Sequence, residues 1–414
     1  MSLVNLDTSA ALSLLNAKAV RERAHRMLAI GLEDKLPNFR VHLDRMDRTV
    51  DLVLKMTRKV YPTFDVPFHS RWRHFVTNED NRWATIADHT RWPDRASRAR
   101  AEFDLAIVSV FLDAGAGPSW HYLDPKTGSA VGRSEGLGLA SLAMFAGGAF
   151  SADPLAPLRA DADVLANFSV ADLARGMQVS DVNPLVGIDS RADLLRRLGT
   201  LVASKPDVFG GVDSPRPGGL FDRLAMLADD HQLPAPTILS ELLQKLGPIW
   251  PSRLTLGGIA LGDCWKHPML MTADATSGLM PLHKLSQWLA YSLIEPLQTA
   301  GISVTDVDGL TGLAEYRNGG LFVDTGVLAF RDAKDAQREH EVASSLVVEW
   351  RALTVALLDG VADRLRHRLK LDATALPLAK ILEGGTWAAG RLLARERRAD
   401  ASSPVKIISD GTVF

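Results

Sequence analysis

A single cysteine in 414 residues, Cys264, has no partner for an intramolecular disulfide, so packing must hold the fold together. That usage fits a reducing compartment, and cytoplasm is the expected location. Excess charge is also missing. The 47 Lys and Arg residues against 49 Asp and Glu give a net charge of −2, which supplies no basic balance for a nucleic acid or a membrane surface. The N-terminal stretch MSLVNLDTSAALSLLNAKAVRERAHRML has no basic segment ahead of an apolar core, so no signal peptide is expected. Residues 136–152 are uncharged but number only 17 and include Gly136, Gly138, Gly147 and Gly148, which suits a buried, closely packed helix better than a membrane span. Strand signals are confined to 321–329 and 405–408, with no succession of βαβ units, no internal repeat and no low-complexity segment.

What is present is material for a large helical core. Hydrophobic residues make up 46% and charged residues 23%. Apolar positions recur at helical spacing over 8–36, over 40–60 up to Tyr61-Pro62, over 103–112 and 137–150, in pieces over 155–201, and over 221–229, 238–246 and 282–297. A long helix is expected over 332–369, with the stripe Leu346, Trp350, Leu353, Leu357, Val361 and Leu365, and a last one over 377–398. The fold class is therefore mainly α, a large helical protein with a few short strands. Residues 1–414 read as one large domain that can divide into two lobes, about 1–235 and 236–414, with the site between them.

Four stretches carry chemistry. In 66–92, His69, Arg71, Trp72, Arg73, His74, Arg82, Trp83, His89, Arg91 and Trp92 crowd together, a mixture that can stack a ring, hold a phosphate or simply pack a long loop. His69 and His74 are five apart with no cysteine or HExxH spacing, so no metal site is expected. Arg216, Gly218 and Gly219 precede a helix and could hold an anion, but no nucleotide P-loop follows and a plain helix entry with no ligand is the favoured reading. Asp263 closes the apolar run LTLGGIAL and is followed by Cys264, Trp265, Lys266 and His267, the pattern of a half-buried active carboxylate or of a turn before Pro268. Cys264 is a weaker nucleophile candidate, with only His267 nearby as base. In 310–328, Glu315-Tyr316-Arg317 stand before Gly319-Gly320, presenting a carboxylate, a phenol and a guanidinium where the backbone can approach closely. Glu349 lies at the edge of the long helix's buried stripe and requires a partner, for which Arg317 is one candidate.

FHSRWRHF at 68–75, Arg82-Trp83, LGGIALGDCWKHP at 256–268, PLHKLSQWLAYSL at 281–293 and GLAEYRNGGLFVDTGVL at 312–328 together resemble the uracil-catabolism family, the fourth component of fungal and bacterial uracil degradation, formerly a domain of unknown function. The resemblance spans essentially the whole chain. A more distant similarity is to the queuosine 5′-phosphate N-glycosylases of queuosine salvage. Their Asp-x-Trp motif is matched by Asp263-Cys264-Trp265, their Asp-Tyr-Arg-Val-Pro-like motif by 315–319, and their Glu-x-Arg-Ala by Glu349-Trp350-Arg351-Ala352. Glu stands for Asp at 315, and no proline follows Asn318.

The resemblance implies a DNA-glycosylase-like or queuosine-salvage-like helical architecture and an N-ribosyl hydrolase that cleaves ribosylurea, or its 5′-phosphate, to urea and ribose or its phosphate. Asp263, Glu315 and Glu349 are the implied catalytic set, with Asp263 first choice for activating water. Tyr316, Arg317 and Arg351, the segment His69, Arg71, Trp72, Arg73 and His74, and Trp265, Lys266 and His267 are the implied substrate-binding residues. No cofactor and no metal are required. The expected partner is a small ribosylurea-type molecule, not nucleic acid or membrane, with a homo-oligomer left open. A ureido amidohydrolase or ring-opening enzyme of the same pathway, or a non-catalytic protein that binds an intermediate, are the competing readings.

Overall fold

The computed structural model describes residues 3–77, 79–117, 119–210, 214–250 and 254–408. Helices dominate, and among the described residues the strands pair in two-stranded ribbons. The chain divides into two compact units: Met1–His69, Ser252–Gln287 and Asp306–Phe414 form one, and Ser70–Pro251 with Trp288–Thr305 form the other.

The first unit is built around the helix Ser345–Leu369, which is buried on every side from Leu346 to Leu358. A helix apolar all round belongs in a core, and this one carries Glu349, Arg351 and Thr354 inside it, so each needs a polar partner there. The helix starts at Ser345, not near 332. Ser344 caps it by accepting from Val347 N–H, and the apolar stripe begins only at Leu346. Upstream, Asp332 caps a 3-10 turn at Ala333–Ala336, and Glu339–Glu341 pairs in parallel with Lys406–Ile408. The strand expected over 321–329 is also shorter than its apolar run suggests. Glu315 caps a helix Tyr316–Asp324, and only Leu328–Phe330 is extended, antiparallel to Phe39–Val41. Residues 40–45 likewise form a strand end and a 3-10 turn before the helix Met46–Val60.

Near the C-terminus, a helical segment from Leu378 to Arg397 is interrupted by one π turn, Leu382–Thr386. This turn lies hard against the helix Met46–Val60. A Cβ on Gly385 would sit 2.5 Å from Val53 Cγ1 and 2.7 Å from Val53 O, so glycine is needed for the approach.

In the second unit the helix Arg95–Phe111, capped by Asp94, is enclosed from Phe103 onward. The groups ahead of the 221–229 helix that could have held an anion are turned on the protein's own Asp104. Its carboxylate accepts from Arg216 Nε (2.8 Å), Gly218 N–H (2.5 Å) and Ala160 N–H (3.1 Å), and no exposure remains. Most of the 136–152 stretch forms the buried helix Arg133–Ala146. Among the described residues no helix is long and apolar enough to cross a membrane.

Gly136 shows how tightly that helix is packed: a Cβ there would lie 2.1 Å from Val131 O, a backbone atom with no freedom to retreat. Gly136→Ala should cost about 1–3 kcal/mol in chemical denaturation. Gly247→Ala, where the added atom meets nothing within 4 Å, should stay within about 0.5 kcal/mol of wild type.

Candidate functional site

Arg351 is 1% exposed and must place its charge inside the first unit. It does so as a fork: Nη1 donates to Asp263 Oδ1 and Nη2 to Asp263 Oδ2, both at 2.8 Å, while Nε donates to the carbonyl of Ala314 at 3.3 Å. Asp263 is held from two more directions. Trp265 Nε1 donates to Oδ1 (2.6 Å) and Lys284 N–H, at the start of the helix Lys284–Thr299, to Oδ2 (2.9 Å). The Asp263 carbonyl accepts from Leu282 and His283 N–H as well. Burial alone would raise this carboxyl, but the charge of Arg351 and the hydrogen bonds from Arg351, Trp265 and Lys284 outweigh it and hold Asp263 well below the ordinary carboxylate range. Each of its oxygens already accepts two hydrogen bonds, which leaves little acceptor capacity for a water.

Glu315 is the opposite case. As N-cap of Tyr316–Asp324 it accepts from Arg317 N–H on Oε2 (2.7 Å) and from Asn318 N–H on Oε1 (2.5 Å). Burial raises its pKa, and the two backbone donors and the positive charges of Lys284 and His69 offset that only in part. The residue as a whole keeps some solvent exposure. By gripping Ala314 O, Arg351 fixes the residue before Glu315 with the same side chain that fixes Asp263.

Arg317 is 4% exposed and does not reach Glu349. Its Nη1 donates to Ala401 O (2.9 Å), and its guanidinium lies 4.7 Å from the ring of Tyr316, which is 37% exposed. Gly319 meets a protein group: a Cβ would be 2.6 Å from the Trp350 indole, whose Nε1 donates to Gly319 O. Glu349 is fully buried and accepts from Phe39 N–H (2.7 Å), Asn38 N–H (3.3 Å) and Asn38 Nδ2 (2.9 Å). His267 Nε2 lies 3.4 Å from Glu349 Oε2. Residues two apart on a helix point about 200° apart, and Glu349 shares no hydrogen-bond partner with Asp263 or Glu315. Two of the three expected carboxylates are thus linked through Arg351, and the third anchors the strand Phe39–Val41. Lys266 is exposed.

In the same unit His69 Nδ1 is 2.7 Å from Glu383 Oε2, and Tyr61 Oη donates to Glu383 Oε1 at 3.2 Å. Lys284, Tyr61 and Glu383 are absent from the sequence expectations. The only sign of Glu383 is its position before Gly384-Gly385 in an otherwise helical tail. The rest of the basic-aromatic segment belongs to the second unit and is engaged there. Arg71 is fully buried, donating to Ser109 Oγ (2.6 Å) and Asp113 Oδ2 (2.9 Å); Arg73 pairs with Glu295 (2.6 Å); Trp72 Nε1 donates to Ser292 O; His74 meets Trp288 edge-on. Arg71 and Arg73 therefore spend charge on carboxylates of the protein rather than forming the expected phosphate cradle. Cys264 is fully buried, and burial and the neighbouring Asp263 charge push its thiol far up, away from nucleophilic reactivity. Among the described residues no three His, Cys, Asp or Glu side chains group as a metal site.

The fold and site define a mainly helical protein in which a buried guanidinium fork fixes one ionised carboxylate and positions the segment bearing a second, desolvated one. The chain belongs to the family described as a protein of unknown function, DUF1688, which matches residues 13–414. It is similar to Protein urg3 of Schizosaccharomyces pombe, 38% identical over 421 residues covering 99% of this chain and 100% of that protein. It is also similar to Uracil catabolism protein 4 of Lachancea kluyveri, 34% identical over 414 residues covering 91% and 92%.

Replacing Asp263 leaves the buried Arg351 charge without its counter-ion. Asp263→Asn should therefore destabilise the protein by about 3–5 kcal/mol at neutral pH, measured by urea denaturation. Because the folded-state pKa is depressed, the stabilisation is complete above the unfolded value and is lost as pH falls. The gap between wild type and Asp263→Asn should narrow below about pH 4.

Proposed function

We propose that this protein is an N-ribosyl hydrolase of uracil breakdown, which releases urea from ribosylurea or its 5′-phosphate, with Glu315 as the base that activates water. The name of the Lachancea kluyveri relative supplies the pathway. The observation that carries the chemistry is the pairing of Glu315, desolvated and raised, with Asp263, ionised and saturated. Carboxylates pushed apart in this way take different roles.

The reaction builds positive charge on the ribose as the bond from the anomeric carbon to nitrogen lengthens. Glu315 keeps lone pairs beyond its two backbone donors and can accept a proton from water as the water oxygen attacks that carbon. Asp263 contributes through position: by neutralising Arg351 it keeps the fork in place and with it the backbone at Ala314. Tyr316, exposed beside the cap, is suited to contact a sugar or ureido group. Lys284 supplies positive charge near Glu315.

The test is urea release by purified protein supplied with ribosylurea and with its 5′-phosphate. Wild type should turn over one of them. Glu315→Gln should lose about 10²–10⁴-fold in kcat while giving up only about 1 kcal/mol of stability as a weakened cap. Since the base must be ionised, kcat/KM should rise with pH along an acidic limb shifted upward from the ordinary glutamate value. Near-wild-type turnover by Glu315→Gln removes Glu315 from the role.

A further inference from the structure

A buried guanidinium is costly unless something answers its charge. Five arginines are buried among the described residues. Arg71, Arg216 and Arg351 each meet a carboxylate. Arg191 meets none but donates to four carbonyls, those of Leu112, Val186, Ala114 and Gly115. Arg317 has neither answer. It is 4% exposed and enters no ion pair among the described residues; its Nη1 donates to the single carbonyl of Ala401, and its Nε is buried with no hydrogen-bond partner. The Tyr316 ring, 4.7 Å away, attracts the cation without neutralising it.

We propose that Arg317 is the anion-recognition residue of this protein and that the anion is the 5′-phosphate of the substrate, so that ribosylurea 5′-phosphate, not free ribosylurea, is hydrolysed. The proposal rests on the hydrolase reading above, which leaves the two compounds open. They differ by one phosphomonoester, the group for which an uncompensated guanidinium is selective.

A hydrogen bond joins Arg317 to the candidate base: its main-chain N–H donates to Glu315 Oε2 at 2.7 Å. The side-chain charge is not spent on that carboxylate. Glu315 is held by main-chain donors, and the Arg317 side chain turns to Ala401 instead. The backbone from which the guanidinium extends is pinned, because a Cβ on Gly390 of the helix Trp387–Arg397 would lie 2.1 Å from Arg317 O. A side chain that starts from a fixed point loses less freedom when it takes a ligand.

In the same unit a cavity of about 390 Å³ is lined by Tyr316, Ser402, Ser403 and Lys406, with Glu339 and Asp400 also on its wall. Ala401, whose carbonyl receives Arg317, stands between two of these lining residues, Asp400 and Ser402. Serine hydroxyls and an ammonium are donors for phosphate oxygens. The two carboxylates leave Arg317 unanswered. Asp400 accepts from Ser402 N–H (3.0 Å), and Glu339 is the cross-strand neighbour of Lys406. Glu315 and Tyr316 are consecutive, so the base and the cavity are one residue apart. A phosphate seated in this cavity lies beside the residues that touch the guanidinium and supplies the negative charge that no side chain provides.

The experiment uses the full chain as wild type, Arg317→Gln, Arg317→Lys and Lys55→Gln, the last an exposed control on the helix Met46–Val60. Calorimetry measures binding of ribose 5-phosphate, ribose and inorganic phosphate, and urea release is measured from ribosylurea and its 5′-phosphate. Wild type should bind ribose 5-phosphate at least about 10-fold more tightly than ribose and should favour the 5′-phosphate substrate in kcat/KM by a similar factor or more. Arg317→Gln should weaken ribose 5-phosphate by about 10–100-fold and shrink the substrate preference equally, since a charge-assisted contact is lost. Arg317→Lys keeps the charge without the fork and should fall between the two; it also carries the comparison if Arg317→Gln does not fold. Lys55→Gln should change neither readout. A charge reserved for a ligand contributes little to the free protein, so without ligand Arg317→Gln should melt within about 2 °C of wild type, and it should lose the rise in Tm that ribose 5-phosphate gives wild type. Equal binding of ribose 5-phosphate by wild type and both Arg317 variants, or equal turnover of the two compounds by wild type, overturns the proposal and leaves the hydrolase reading standing. Urea from neither compound removes the hydrolase reading, and the binding measurements still decide whether Arg317 holds a phosphate.

Discussion

A guanidinium enclosed in the first unit constrains everything around it. Arg351 can stay charged there only if its fork meets a carboxylate in the same plane, and Asp263 is brought to it by a β-ribbon end that also starts the helix Lys284–Thr299. Its two neighbours in sequence extend the same demand. Glu349 takes the strand at Asn38 and Phe39, Trp350 takes Gly319, and Arg351 takes Asp263 and Ala314. Three successive side chains of one helix thereby tie together segments far apart in the chain. None of these bonds is strong by itself, since water offers the same partners to the unfolded chain, but each would be costly to leave unmade in a dry interior.

The same arrangement separates two carboxylates by chemistry rather than by residue type. Asp263 receives a full fork, an indole and a helix N-terminus, so its charge is compensated several times over. Glu315 receives two backbone donors and only distant positive charge, so burial prevails. One carboxylate is held ionised by its partners, and the other is shifted upward by burial. The division depends on where Arg351 points.

Much of this was legible in the residues, and the limits have physical causes. The buried stripe of 346–365 followed from its period, but where the helix begins did not, because Asp332 and Ser344 are both acceptable caps and only the apolar face beyond Leu346 favours the second. The apolar run at 321–329 looked extended because Leu321, Phe322 and Val323 are consecutive, a pattern shared by buried helices. Asp263 and Glu315 stood out as polar groups beside apolar runs, while Arg351 entered only through the resemblance. Their roles could not be read, since the pKa shift of Asp263 depends on Arg351, 88 residues on, and that of Glu315 on how deeply the fold buries it. Arg71 and Arg73 illustrate the reverse: their density suggested a ligand, yet the acids that satisfy them, Asp113 and Glu295, lie elsewhere in the sequence. Glu383 had almost no signature, because a π turn is decided by how the helix must sit on Val53 and Thr57.

The one sulfhydryl of the chain occupies a telling position. Cys264 follows Asp263 directly and is packed among Ala11, Leu14, Leu261 and Leu279, where burial and the Asp263 charge disfavour a thiolate. An alkylating reagent can react only after that packing parts. Since the next residue upstream carries the fork to Arg351, the rate of labelling is a clock for the opening of this core and of the ion pair beside it. The native chain thus contains its own reporter for local unfolding at the centre of the first unit, with no label added and no second thiol to confuse the reading.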